Sequence, residues 1–99
     1  IKTGGINVAP VEVEEVLRAH PSVAQAYVVG LPDAERDELV AAVLVLEEGE
    51  CFDEAAVRAY CRERMAAYKV PRRYRVADES ELPLTSTRKL QKMRLPELF

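Results

Sequence analysis

The longest apolar run in the chain, Leu39 to Leu46, limits the possible folds more than any other stretch. It falls well short of the ~20 residues that a helix needs to cross a bilayer. Bounded by Glu38 and by Glu47-Glu48-Gly49-Glu50, it reads as a strand, and its near-continuous apolarity predicts a central one. A chain of 99 residues fits a single small domain with a real core, but it is too short to enclose a large substrate cleft unaided.

The flanking segments supply the remaining elements. Residues 1–9, IKTGGINVA, set β-branched residues on both sides of Gly4-Gly5, the pattern of a tight hairpin whose turn needs positive φ. Pro10 opens a helix in which Glu12, Glu14 and Glu15 complement the N-terminal dipole. Val13, Val16 and Leu17 form its apolar stripe, and Pro21 ends it. Val23 to Val29 predicts a strand, and Leu31 to Asp37 a charged, turn-rich loop. Asp53 reads as the N-cap of a second helix running to about residue 66, with Val57, Tyr60, Cys61 and Met65 on one face. Tyr74 to Asp78 predicts a third strand, and a short basic helix is expected from Lys89 to Leu95, stopped by Pro96. The predicted class is a small α+β fold: a three-stranded sheet with packed helices and an N-terminal β-hairpin.

Charge narrows the function classes. The 14 Lys and Arg against 17 Asp and Glu give a net charge of -3, the wrong sign for bulk attraction to nucleic acid, so no nucleic-acid partner is expected. Acidic residues fill the first half and basic residues the second, which leaves room for a local anion-binding face. Cys51 and Cys61 stand apart, with no CxxC pair and only one His in the chain, so neither a metal site nor a disulfide framework is expected. With no signal-peptide pattern and no membrane span, a cytoplasmic setting is the expectation. The chain opens at Ile1 inside a motif rather than at Met, so we expect a piece of a longer protein.

Three segments stand out from an anonymous α+β domain: the Gly4-Gly5 hairpin, AYKVPRRY from Ala67 to Tyr74, and LPLTSTRKLQK from Leu82 to Lys92. Taken singly they also fit a plain turn, a solvated strand edge and a polar linker. Together and in this order they resemble the C-terminal domain of the adenylate-forming superfamily of acyl-CoA synthetases, peptide synthetase adenylation domains and beetle luciferases. IKTGGINVAPVEVEEVL is similar to the family segment I-K-x-x-G-x-x-V-x-P-x-E-V-E. HPSVAQAYVVGLPDAERDELVAAVLV is similar to H-P-x-V-x-x-A-x-V-x-G-x-P-D-x-x-x-G-E-x-x-x-A-x-V, with Asp37 where the family usually has Gly. YKVPRRYRVADESELPLTSTRKLQK is similar to Y-K-V-P followed by L-P-x-T-x-x-G-K-x-x-K, with Arg88 in place of the usual Gly. Tyr68-Lys69-Val70-Pro71 and Leu90-Gln91-Lys92 favour the acyl-CoA ligase branch over the peptide synthetases.

The resemblance implies the mobile C-terminal domain of an ATP-dependent acyl-CoA ligase, whose N-terminal domain is its partner and binds the carboxylic acid, ATP and most of the Mg. In that family the acid is first adenylated and then passed to CoA, and the small domain rotates between two poses. Lys89 is implied as the catalytic lysine of adenylation, placed to neutralise charge at the α-phosphate. Lys2, Gly4 and Gly5 are implied in the thioester step, where a backbone without Cβ can lie against the pantetheine arm. Tyr68, Lys69 and Arg72, with Arg73 nearby, are implied at the nucleotide end of CoA. His20 is expected to serve the helix end. If position 88 needs positive φ, Arg88 is strained. The fragment alone is expected to be inactive. The rival reading is a non-catalytic α+β interaction or anion-binding module.

Overall fold

The computed structural model describes every residue from Ile1 to Phe99. The Gly-Gly pair joins β1 (Lys2–Thr3) to β2 (Ile6–Asn7), with φ of 56° at Gly4 and 81° at Gly5. Both values lie where only a residue without Cβ rests easily, as the two-residue hairpin turn requires. Helix α1 (Pro10–Arg18) follows and buries Val13 and Leu17 completely. Strands β3 (Val23–Asp33) and β4 (Asp37–Leu46) form a long antiparallel ribbon, and α2 (Glu54–Arg64) is capped by Asp53, whose Oδ1 accepts from the Ala56 N–H at 3.1 Å. Strand β5 (Arg73–Val76) returns parallel to β4, pairing Ala41 with Arg73 and Leu44 with Val76.

The sheet has five strands in the order β2-β1-β4-β3, with β5 also on β4. Three strands plus a separate hairpin were expected. The difference arises because Thr3 pairs with Asp37 and Gly4 donates its N–H to the Arg36 carbonyl at 2.9 Å, so the hairpin extends the sheet. β4 is central, as its apolar run predicts, and it carries two cores. Val40, Ala42 and Leu44 join Val13, Leu17, Val57 and Cys61 under the two helices. On the opposite face Ala41 and Val43 join Val29, Leu31, Ala77 and Leu95. Each buried Val or Leu among them contributes about 1.5–3 kcal/mol by leaving water, and each Ala less.

Two expectations are corrected. Leu31-Pro32-Asp33 continues β3 instead of forming a loop, because β3 is an edge strand where Pro32, which lacks an N–H, removes no ladder bond. Only Ala34 to Arg36 turn, held by Asp33 Oδ2, which accepts from Glu35 N–H at 3.1 Å and Arg36 N–H at 2.9 Å. The C-terminal helix is a 3-10 segment at Lys92–Leu98 rather than Lys89–Leu95. Lys89 and Leu90 instead close the preceding turn, and Pro96 lies within the segment, its carbonyl accepting from the Phe99 N–H at 3.2 Å. This irregular C-terminal strap, with Leu82, Leu90, Leu98 and Phe99 packed against the second core, covers the face of the sheet that the helices leave open.

Candidate functional site

Lys89 sits at the end of a closed turn. The Thr85 N–H donates to the Lys89 carbonyl at 2.8 Å, the Arg88 N–H to the Thr85 carbonyl at 2.9 Å, and the Lys89 N–H to Thr85 Oγ1 at 3.0 Å. Thr85 is thus the residue that folds the loop. Below it, Leu84 and Leu90 form an antiparallel bridge and the Gln91 N–H donates to the Pro83 carbonyl at 2.8 Å. The Lys89 side chain is exposed and its ammonium forms no ion pair. A cation on a turn whose base is fixed to the core can be presented to a second surface with little loss of backbone freedom.

Arg88 has φ 64°, in the left-handed region where a long side chain is strained, and Asp37 has φ 70°. Both positions are ones where the resembling motifs have Gly. Asp tolerates this region better than a long side chain does. The exposed Arg88 side chain makes no hydrogen bond, so nothing on it offsets the strain. Arg88→Gly is expected to stabilise the chain by about 0.5–1 kcal/mol, the left-handed penalty less the extra entropy of an unfolded Gly. Urea unfolding checks it, and a lower midpoint for Arg88→Gly contradicts the strain account.

The second group is the hairpin. Lys2 is exposed, its N–H donating to Glu38 Oε1 at 2.9 Å while its ammonium is unpaired. Gly30 makes this possible, since a Cβ there would collide with the Glu38 carboxylate. A Cβ added at Gly4 or Gly5 would meet nothing within 4 Å, so the turn offers an open backbone surface.

The third group surrounds a shallow depression of about 410 Å³ lined by Arg58, Arg62, Ala67, Val70, Pro71 and Arg72. Tyr68 lies beside it with 41% of its surface exposed. The Arg72 backbone is fixed by its N–H to the Val40 carbonyl at 2.8 Å and by Arg58, which donates to the Arg72 carbonyl at 2.7 Å. Lys69 is paired with Glu12 at 2.7 Å, and this hydrogen bond holds its pKa above the ordinary lysine value. Arg73 lies over the Phe99 ring, 5.5 Å from its centroid. Arg58 and Arg62 were not singled out from sequence. Their spacing of four on an exposed helix face reads as ordinary solvated charge.

No hydrogen bond or ion pair joins the hairpin, the arginine depression and the Lys89 turn to one another. His20 has a structural environment: Nδ1 accepts from the Ser22 N–H at 3.2 Å, and the ring packs edge-on to Tyr60 at 4.9 Å. Burial pushes the Cys61 thiol and the Tyr74 phenol above their ordinary pKa values.

The sequence of this helix-backed, five-stranded α+β unit matches a known family. Residues 12–89 fit the model of the AMP-binding enzyme C-terminal domain, and the chain belongs to that family. The 2-succinylbenzoate--CoA ligase of Geobacillus kaustophilus is 45% identical over 99 residues, which cover 100% of this chain and 20% of the ligase. The structure of a Mycobacterium tuberculosis fatty acyl CoA synthetase superposes with a TM-score of 0.87 at 36% identity, covering 100% of this chain and 19% of that one. The o-succinylbenzoate CoA synthetase of Bacillus subtilis, in complex with its acyl-adenylate intermediate, gives 0.84 at 38% identity, covering 95% and 19%. The chain therefore spans about a fifth of the length of the curated relatives it matches.

Proposed function

We infer that this chain is the mobile C-terminal domain of an ATP-dependent acyl-CoA ligase, and that it supplies Lys89 to an adenylation site built by an N-terminal domain. The observation that carries the reading is the free Lys89 ammonium on its Thr85-closed turn, in a chain whose full length matches CoA ligases. In the first half-reaction a carboxylate oxygen bonds to the α-phosphorus of ATP and the bond to pyrophosphate breaks. Lys89 would offset the negative charge that accumulates there. In the second, the CoA thiolate attacks the acyl carbon and AMP leaves. The open turn at Gly4 and Gly5 would then lie along the pantetheine arm, with Lys2 beside it. Tyr68 and Arg72, backed by Lys69, would meet the nucleotide end of CoA.

No group of three His, Cys, Asp or Glu side chains in this chain could hold a metal ion. On this reading the Mg that accompanies ATP would be bound mainly by the N-terminal domain. The full-length protein is expected to release pyrophosphate from ATP with a cognate carboxylic acid and to form the acyl-CoA thioester. Residues 1–99 alone are expected to do neither. Screening a panel of acids for pyrophosphate release tests this. An intact protein that binds nucleotide and CoA but releases no pyrophosphate with any acid contradicts it. The arginine depression favours a second reading, a non-catalytic anion-binding module, which predicts phosphate binding by the isolated chain and no turnover by the whole.

A further inference from the structure

Glu14 lies 5% exposed on α1, a position where an unpaired carboxylate would be strongly disfavoured. One of its oxygens, Oε2, does two jobs. It accepts from the Val28 N–H at 2.8 Å and pairs with the Lys92 ammonium at 2.7 Å. β3 is the sheet edge, and alternate residues point their backbone groups away from β4. Val28 is one such residue and Ala26 another, its carbonyl accepting from Arg18 at 3.2 Å. Side chains from α1 therefore finish the outer edge of β3. Lys92 comes from the strap on the opposite face and meets Glu14 at that same edge. The ion pair is thus a tie around the edge of the sheet, joining the helical layer to the strap.

Lys92 is three residues beyond Lys89 and opens the 3-10 segment. Upstream of Lys92 the turn is closed by Thr85 and by the Leu84 to Leu90 bridge. Downstream, Leu95 is fully buried, and Arg75 donates to the Leu98 carbonyl at 3.1 Å. The Glu14 to Lys92 pair is the ion pair that holds the base of the Lys89 turn to the helix following the hairpin. We propose that Glu14, acting through Lys92, is a positioning residue that sets where the Lys89 ammonium stands. This rests on the adenylation role proposed above for Lys89. The pair also connects α1, which follows the hairpin, to the base of the Lys89 turn.

Two variants separate positioning from folding. Glu14→Gln keeps an acceptor for the Val28 N–H but removes the charge, and Lys92→Met removes the cation from a side chain that is 40% exposed. In the full-length enzyme each is expected to lower kcat for adenylate formation about tenfold, with KM for ATP and acid within about twofold, the signature of misplaced catalytic geometry. Thioester formation from supplied acyl-adenylate is expected to change by less than about twofold. Lys92→Arg, which keeps a cation within reach of Glu14, is expected to restore adenylation to within about threefold of wild type. Adenylation kcat unchanged in both Glu14→Gln and Lys92→Met, with thermal midpoints near wild type, overturns the inference while leaving the role of Lys89 intact. Parallel loss of both half-reactions overturns it as well, since that reports a folding effect. The underlying reading fails separately, if Lys89→Ala itself leaves adenylation intact.

Discussion

Lys89→Ala in the full-length enzyme is expected to slow adenylate formation by about 10²–10³-fold, the scale on which removal of one preorganised charge-stabilising group acts. Thioester formation from supplied acyl-adenylate is expected to persist near the wild-type rate. The asymmetry follows from the chemistry: negative charge builds at the α-phosphate in the first step, whereas the second expels AMP from an acyl carbon. The side chain is exposed and unpaired, so its removal leaves no buried partner stranded and the effect is not a loss of fold. ATP–pyrophosphate exchange measures the first half-reaction, and direct thiolysis of the adenylate measures the second. Equal losses in both would remove Lys89 from its assigned role.

Glu14→Ala has the largest expected effect on stability, about 2–4 kcal/mol. Most of it comes from the Val28 N–H, which is left buried without an acceptor. The ion pair adds little by comparison, because the Lys92 end is 40% exposed and water screens it. Glu14→Gln, which retains the acceptor, is expected to lose about 1 kcal/mol or less. Urea unfolding of the two variants side by side separates the hydrogen bond from the charge. Equal losses would place the stabilisation in the ion pair instead.

Sequence patterning was sufficient where one physical requirement dominates a segment. The run from Leu39 to Leu46 could only be buried, and it forms the central strand. Gly4-Gly5 could only be a turn of positive φ, and Asp53 caps α2 as its position suggests. Patterning misled where a local signal and a tertiary one compete. Leu31-Pro32-Asp33 carries turn residues, yet pairing with β4 extends it as an edge strand. Lys89 to Leu95 has helical composition, but Thr85 claims the Lys89 N–H and delays the 3-10 segment to Lys92.

The candidate site was legible in part. Lys89, Lys2 and the glycines came from resemblance to a family, since an exposed lysine or a tight turn has no periodic signature of its own. The structure adds that the Lys89 ammonium is free and that Lys69 is already paired with Glu12. In the sequence Glu14 is a charge complementing the helix dipole and the last residue of the family-like P-x-E-V-E segment, neither of which points to a partner. A cue was present: Glu14 lies three residues before Leu17, about 60° around the helix, at the margin of the apolar stripe. Nothing local points from there to Lys92, because their contact exists only once both layers have closed on β3.

The two-sided burial of β4 has a consequence for pairing register. In a strand with one wet face, a slip of one residue drives apolar side chains into water, which protects the alignment. β4 has no such protection from residue 40 to residue 44, because both of its faces are dry. Alignment with β3 must therefore be set at the ends of the ribbon. Asp33, gathering two N–H groups into the three-residue connection, fixes one end, and Thr3 pairing with Asp37 seals it. A short polar turn at the molecular surface thus decides which side of the sheet each aliphatic side chain faces.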